Sequence, residues 1–131
     1  MYGITKEMTF EAAHRLLDYS GPCGNLHGHS YKVQVTICSD SLDSQGFVMD
    51  FSDLKVAVNK IIGDWDHAVI LRDIDPLVPT LQAQGQKVVV FRDNPTAEYM
   101  ANVIYAGLTT QGLSVSQVVV YETANNCASV C

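Results

Sequence analysis

Three histidines within sixteen residues constrain this chain more than any other feature. His27 and His29 stand two apart in the run Cys23-Gly24-Asn25-Leu26-His27-Gly28-His29-Ser30-Tyr31, and His14 closes an earlier apolar run. In an extended segment side chains alternate sides, so His27 and His29 project from one face. A neighbouring strand that ends at His14 brings a third imidazole alongside. Three neutral imidazoles converging on a point form the ligand set of a catalytic zinc site, which leaves a fourth position open. Gly28 lets the backbone pass close to such an ion. Two other readings stand beside this one. Two polar residues on one strand face are often simply solvated, and Cys23 can serve as the fourth ligand of a closed, structural His3Cys site.

The rest of the chain fits a globular domain with a real core. It has 131 residues, with 47% hydrophobic and 17% charged side chains, so residues 1–131 read as one domain. No apolar run is long enough to cross a bilayer, and the start Met1-Tyr2-Gly3-Ile4-Thr5-Lys6 lacks the hydrophobic stretch of a signal peptide. A cytoplasmic location is expected, with Cys23, Cys38, Cys127 and Cys131 as thiols or ligands. The net charge is −6 and the eight Lys and Arg are scattered, which argues against nucleic acid and membrane surfaces as partners. A phosphorylated substrate requires local cations to overcome that field: the metal, Arg15 and Lys32.

Alternation from Tyr2 to Arg15 and from Tyr31 to Ser39 predicts two strands, paired as an antiparallel hairpin. Asp50 or Ser52 caps a helix whose buried stripe is Leu54, Val58, Ile61 and Trp65, ending near Gly63. Residues 70–86 read as loop. Lys87–Phe91 is short and nearly all apolar, which predicts a central strand. Asn94 caps a second helix, with Pro95 in its first turn, Glu98 complementing the dipole and Gly112 stopping it. Val115–Thr123 is the last strand, and residues 126–131 read as a flexible tail. The fold expected is α+β, a four-stranded antiparallel sheet with two helices on one face. The sheet's bare face and edges call for assembly.

Two acidic features have plain readings as well as functional ones. Asp66-His67 follows the first helix directly. On an irregular segment both point into one cleft, where the carboxylate orients the imidazole, but spacing alone favours a histidine pairing with the helix dipole. Glu122 ends an apolar strand. It suits a bidentate contact to a flat N–H/NH2 edge, and it equally suits a strand running out into water.

Taken in order, His14-Arg15-Leu16, Cys23-x-x-x-His27-Gly28-His29, Gly46-Phe47-Val48-Met49-Asp50-Phe51-Ser52-Asp53-Leu54-Lys55, Asp66-His67, Pro95-Thr96-Ala97-Glu98 and Tyr121-Glu122-Thr123 resemble the 6-pyruvoyltetrahydropterin synthase / 6-carboxytetrahydropterin synthase family. The likeness runs from about residue 4 to 125. It departs at Tyr99, where the family more often has Asn, and in the tail after Asn125.

The resemblance implies the tunnelling fold, an oligomeric barrel of trimers stacked as a homohexamer, with active sites at subunit interfaces. It implies Zn2+ on His14, His27 and His29. It makes Cys23 the catalytic base, with Asp66 and His67 completing a proton relay. Glu122 would anchor the pterin ring beside a neighbouring subunit's cysteine, and Thr96 falls within the substrate-binding motif. The implied substrate is 7,8-dihydroneopterin triphosphate. The three-residue gap between Cys23 and His27 resembles the queuosine-pathway branch, which forms 6-carboxy-5,6,7,8-tetrahydropterin, acetaldehyde and triphosphate. The alternative is the pyruvoyl product. Closed structural zinc and a zinc hydrolase with Glu11 as its water-activating carboxylate are the readings outside this family.

Overall fold

In the computed structural model, which describes residues 1–131, the alternating segments pair as β1 (Tyr2–His14) and β2 (His27–Ser39). They run antiparallel over their full length, with Phe10 opposite Tyr31, Ala12 opposite His29 and His14 opposite His27. One face carries Phe10, Ala12, Tyr31, Val33, Val35 and Ile37, all buried. The other carries Glu7, Gln34, Glu11 and Ser30, where Gln34 donates to Glu7 and Ser30 to Glu11.

Helices α1 (Phe51–Ile62) and α3 (Ala97–Thr110) cover the apolar face. Asp50 starts α1 by accepting from the Ser52 N–H at 2.7 Å, which satisfies an amide left free at a helix N-terminus. Leu54, Val58 and Ile62 are buried on α1, and Met100, Ile104 and Leu108 on α3. Each such burial contributes on the order of 2 kcal/mol. The two helices approach closely at Gly107, where a Cβ would lie 2.7 Å from Ile61. Between them come β3 (Ala68–Arg72), the short α2 (Leu77–Ala83) and β4 (Val88–Phe91), and after α3 come β5 (Val115–Thr123) and β6 (Asn126–Val130).

The architecture is α+β, as the sequence indicates, with a larger sheet. Six strands run in the order β4-β3-β1-β2-β5-β6. The sheet is mixed rather than wholly antiparallel, because β3 joins β1 in parallel and β4 joins β3 in parallel. Residues 70–86, expected as loop, supply most of β3 and all of α2. Their turn-forming Asp73, Asp75 and Pro76 lie between the two elements and mask them.

Residues 126–131, expected as a flexible tail, supply β6, anchored by pairs such as Tyr121 with Cys127. Lys87–Phe91, expected in the centre, is at the edge, and Val90 is 48% exposed there. A bare apolar edge strand is a surface that other chains cover. Asn94 does not cap α3. Thr96 does, accepting from the Tyr99 N–H at 3.1 Å. No helix is long and apolar enough to cross a membrane.

Candidate active site

The pairing of β1 with β2 builds the site directly. His14, His27 and His29 lie on the helix-covered face, at the end of the ladder where the apolar stripe gives out. Ring centroids are 4.7 Å apart for His14–His27, 5.2 Å for His14–His29 and 4.9 Å for His27–His29. One ring nitrogen from each histidine lies within 4.8 Å of the other two.

Tautomers follow from the hydrogen bonds. Nδ1 of His14 donates to the Pro95 carbonyl at 2.7 Å, and Nδ1 of His27 to the Asn25 carbonyl at 2.7 Å. A carbonyl only accepts, so Nδ1 carries the proton and Nε2 keeps its lone pair. That is how metal-ligating histidines are oriented by a second partner.

Nε2 of His14 and of His29 are buried and have no hydrogen-bond partner. Buried polar atoms of that kind are rare and require an explanation. Burial, the largest cause, holds the His14 imidazole below its ordinary pKa, against the Pro95 hydrogen bond that raises it. Burial likewise lowers His29, against the charge of Glu122. Both rings are therefore kept neutral, as ligands must be. The donor set fits a borderline metal ion such as zinc.

Cys23 lies in a 3-10 turn, Pro22–Gly24, and is half-buried. Its carbonyl accepts from the Leu16 N–H at 2.8 Å. Gly24 is required next to it, because a Cβ there would lie 2.3 Å from the Tyr19 carbonyl oxygen. The ligand cluster comprises the three histidines and leaves out the cysteine. The arrangement is an open three-nitrogen site with a thiol nearby, and it disfavours the closed His3Cys reading.

Glu122 follows the buried Val118 and Val120 at the two-residue spacing of a strand, which puts it on the same face as the histidines. It comes one step beyond the Lys32–Tyr121 pair, beside Tyr31. Tyr31 is wholly buried, and its hydroxyl has no partner. Burial first, then the charges of Glu122 and Cys23, push its ionisation upward. Glu122 also lines a cleft of about 80 Å3 with Glu98, Asn126 and Cys127.

The remaining sequence candidates lie elsewhere. Asp66 and His67 form a pair, Oδ2 to Nδ1 at 3.1 Å. The Glu11 N–H donates to Asp66 at 2.9 Å, and the His67 N–H donates to the Glu11 carbonyl at 2.6 Å. The Glu11 hydrogen bond, more than His67, holds the Asp66 carboxyl below its usual range. His67 has φ of 59°, a left-handed conformation that costs energy for a residue with a side chain. Its side chain is 78% exposed. It opens onto a cleft of about 460 Å3 lined by Glu11, Ala13, Gly28 and Ser30 of the bare face and bordered also by Ala12, His29 and Ala68.

Glu11, bonded to Ser30, is on that same face. It therefore points away from the histidines, which removes Glu11 as the water-activating carboxylate of a zinc hydrolase. Lys32 is there too, its Nζ 4.4 Å from the Tyr121 ring centroid. Arg15 is paired with Asp75, and Thr96 is engaged as the α3 cap.

One structure thus gathers His14, His27, His29, Cys23 and Glu122, and displays Asp66, His67 and Lys32 on the opposite face. Sequence reasoning missed Tyr31, Asp75 and the two orienting carbonyls. Main-chain acceptors carry no residue signature, and Tyr31 reads as one more strand residue.

Comparison with known proteins agrees with this geometry. Residues 3–131 match the family model described as 6-pyruvoyl tetrahydropterin synthase. The 6-carboxy-5,6,7,8-tetrahydropterin synthase of Haemophilus influenzae is 39% identical over 132 residues, covering 94% of each chain. That of Aquifex aeolicus is 35% identical over 152 residues, covering 94% of this chain and 93% of its own. Among solved structures, an uncharacterized protein of Wolinella succinogenes superposes with a TM-score of 0.82 at 28% identity, over 98% of this chain and 97% of that one. The 6-pyruvoyl tetrahydropterin synthase of Caenorhabditis elegans shares the fold, with a TM-score of 0.75 at 23% identity over 98% and 94% of the two chains.

Proposed function

The chain belongs to the 6-pyruvoyl tetrahydropterin synthase family, and on that footing we propose that it is a lyase converting 7,8-dihydroneopterin triphosphate and water into 6-carboxy-5,6,7,8-tetrahydropterin, acetaldehyde and triphosphate. The observation that carries this reading is the open three-histidine cluster, with two orphaned Nε2 atoms and Cys23 outside the ligand set. The relatives in Haemophilus influenzae and Aquifex aeolicus bear the name of the carboxy synthase, which supports the carboxy product, and with it the queuosine branch, over the pyruvoyl one.

His14, His27 and His29 would hold zinc, which when bound would polarise the hydroxyls of the substrate's side chain and so acidify the C–H bonds beside them. Cys23, half-buried and outside the ligand set, is the base that takes a side-chain carbon proton. Glu122 accepts hydrogen bonds from the flat N–H/NH2 edge of the pterin and sets the ring's orientation. His67, oriented by Asp66, moves protons between the hydroxyls and their carbons. Thr96, Arg15 and Lys32 are the remaining substrate-side candidates, with Lys32 the one whose ammonium makes no ion pair. The dihydropterin ring accepts the electrons released by the side chain, so the balance needs no separate redox cofactor.

The relay pair and the histidine cluster occupy opposite faces of one chain's sheet. Asp66 and His67 therefore act on the site of a neighbouring copy, in a homohexamer whose assembly covers the bare face and the β4 and β6 edges. A cytoplasmic enzyme acting on a small molecule completes the reading.

Incubating the zinc-loaded protein with 7,8-dihydroneopterin triphosphate and resolving products by mass spectrometry tests it. Carboxytetrahydropterin with acetaldehyde is the expected result. A pyruvoyl product would keep the family and replace the reaction outcome. No turnover by metal-loaded protein would sink the catalytic assignment.

A further inference from the structure

His14 is the last residue of β1, so the chain that follows it has no ladder to hold it. The segment from His14 to Leu17 is instead fastened to two distant stretches. His14 reaches the Pro95 carbonyl. Leu17 and Asn94 bond reciprocally, the Leu17 N–H to Asn94 Oδ1 at 2.9 Å and Asn94 Nδ2 to the Leu17 carbonyl at 3.1 Å. Between them Arg15 grips Asp75 with both arms, Nε to Oδ2 at 2.8 Å and Nη2 to Oδ1 at 2.5 Å.

Asp75 is 2% exposed, and its Oδ1 also accepts from the Leu77 N–H at 2.8 Å. Its Arg15 partner, first among the causes, holds its carboxyl below the usual range. The Asp75 side chain keeps 1% of its exposure and that of Arg15 24%, and replacing a buried ion pair by apolar residues of similar volume is often neutral for stability. What the pair supplies beyond stability is geometry. A planar guanidinium bound through two parallel hydrogen bonds fixes both distance and angle, which a lysine cannot do. The placement is apt as well. His14 pairs with Ile70 at the β1–β3 contact, and Asp75 lies five residues beyond Ile70, in the turn before α2. Ladder pair and ion pair together fix the chain on either side of the His14 Cα.

We propose that the Arg15–Asp75 pair is a positioning device for the metal centre, holding the backbone that presents His14 so that its Nε2 converges with those of His27 and His29. The proposal rests on the reading of the three histidines as ligands. It makes Asp75 a functional residue and gives Arg15 a structural task beside any contact with substrate.

The test uses the full-length chain stripped of metal. Zinc affinity is measured by competition with a chromophoric chelator, and the cobalt-substituted protein is followed by its visible absorption. The double variant Arg15→Met/Asp75→Leu should melt in its apo form at or above the wild-type temperature, yet bind zinc about 10–100-fold more weakly, the usual loss when a ligand's supporting partner goes. The conservative Arg15→Lys, which keeps the charge and discards the fork, should also bind zinc more weakly, with an altered cobalt spectrum.

Wild-type zinc affinity in either variant overturns the proposal. If the double variant fails to fold, Arg15→Lys decides alone. Failure of the wild-type chain itself to bind zinc is a different result, because it overturns the metal-centre reading.

Discussion

His14 and His27 face each other across the last rung of the β1–β2 ladder, with rings 4.7 Å apart and Nδ1 atoms tethered to the separate carbonyls of Pro95 and Asn25. The rung brings the rings together, and the tethers turn their free nitrogens toward a common point. A hairpin register that slipped by one residue would send His27 and His29 to the bare face. Strand pairing alone therefore assembles the three-histidine cluster.

Cys23 lies on a turn outside the ligand cluster. Replacing it with Ala should leave zinc content and melting temperature within error of wild type while kcat falls by about 100-fold or more, the scale of a lost general base. Metal analysis and thermal melting alongside the rate decide the matter. Loss of zinc from Cys23→Ala would instead make the cysteine a ligand.

In the proposed assembly His67, which opens on the bare face, serves a different site from the Cys23 of its own chain. Cys23→Ala and His67→Ala homo-oligomers should each be inactive. Dissociated, mixed and reassembled, they should regain activity, since some sites then combine one intact cysteine with one intact histidine. No recovery in mixed oligomers, verified by mass, would place the relay within a single chain.

The proposed reaction gives Glu122 the task of binding rather than of chemistry. Glu122→Gln replaces one accepting oxygen with a donor and removes the charge, a loss of about 2 kcal/mol, or roughly 30-fold in KM, for one charge-assisted bond. The effect should fall on KM and on the dissociation constant of a non-reactive pterin, with a smaller change in kcat. A variant that loses kcat alone would give Glu122 a role in proton transfer.

Burial lowers the pKa of His14 and His29 from the ordinary imidazole value of 6.5. When a folded-state pKa lies below the unfolded one, the unfolded chain takes up protons first as pH falls. Stability is thus complete above the unfolded value and declines as pH drops below it. Metal retention moves the same way, since protons compete for Nε2. At fixed, limiting zinc the protein should hold its metal at about pH 7.5 and lose it, with a fall in melting temperature, at about pH 5. His29→Gln should flatten that dependence. Metal content that does not change over this range would argue against imidazole ligation.

The sequence by itself determined the local parts. Alternation from Tyr2 to His14 and from Tyr31 to Ser39 produces two strands because burying one face of each is the main gain available. Three-to-four-residue spacing of Leu54, Val58 and Met100, Ile104, Leu108 produces the two covering helices for the same reason. The ligand set was legible too, because His14, His27 and His29 are short-range partners of one hairpin, and β-strand parity decides which side they take.

Only the tertiary structure decided what depends on partners distant in the chain. Val88–Phe91 is as apolar as a central strand but lies at an edge, since apolarity measures burial and not position. Residues 126–130 form β6 because β5 offers its free edge, a fact absent from their own pattern. Asp66-His67 carries no mark of its face. The Glu11 main chain, 55 residues earlier for its bond to Asp66, sets that. Arg15 looks like a free cation until Asp75, 60 residues on, closes over it. Periodicity records how each residue is divided between core and water, whereas the pairing of two charges or the docking of a carbonyl on an imidazole exists only once the chain has brought them together.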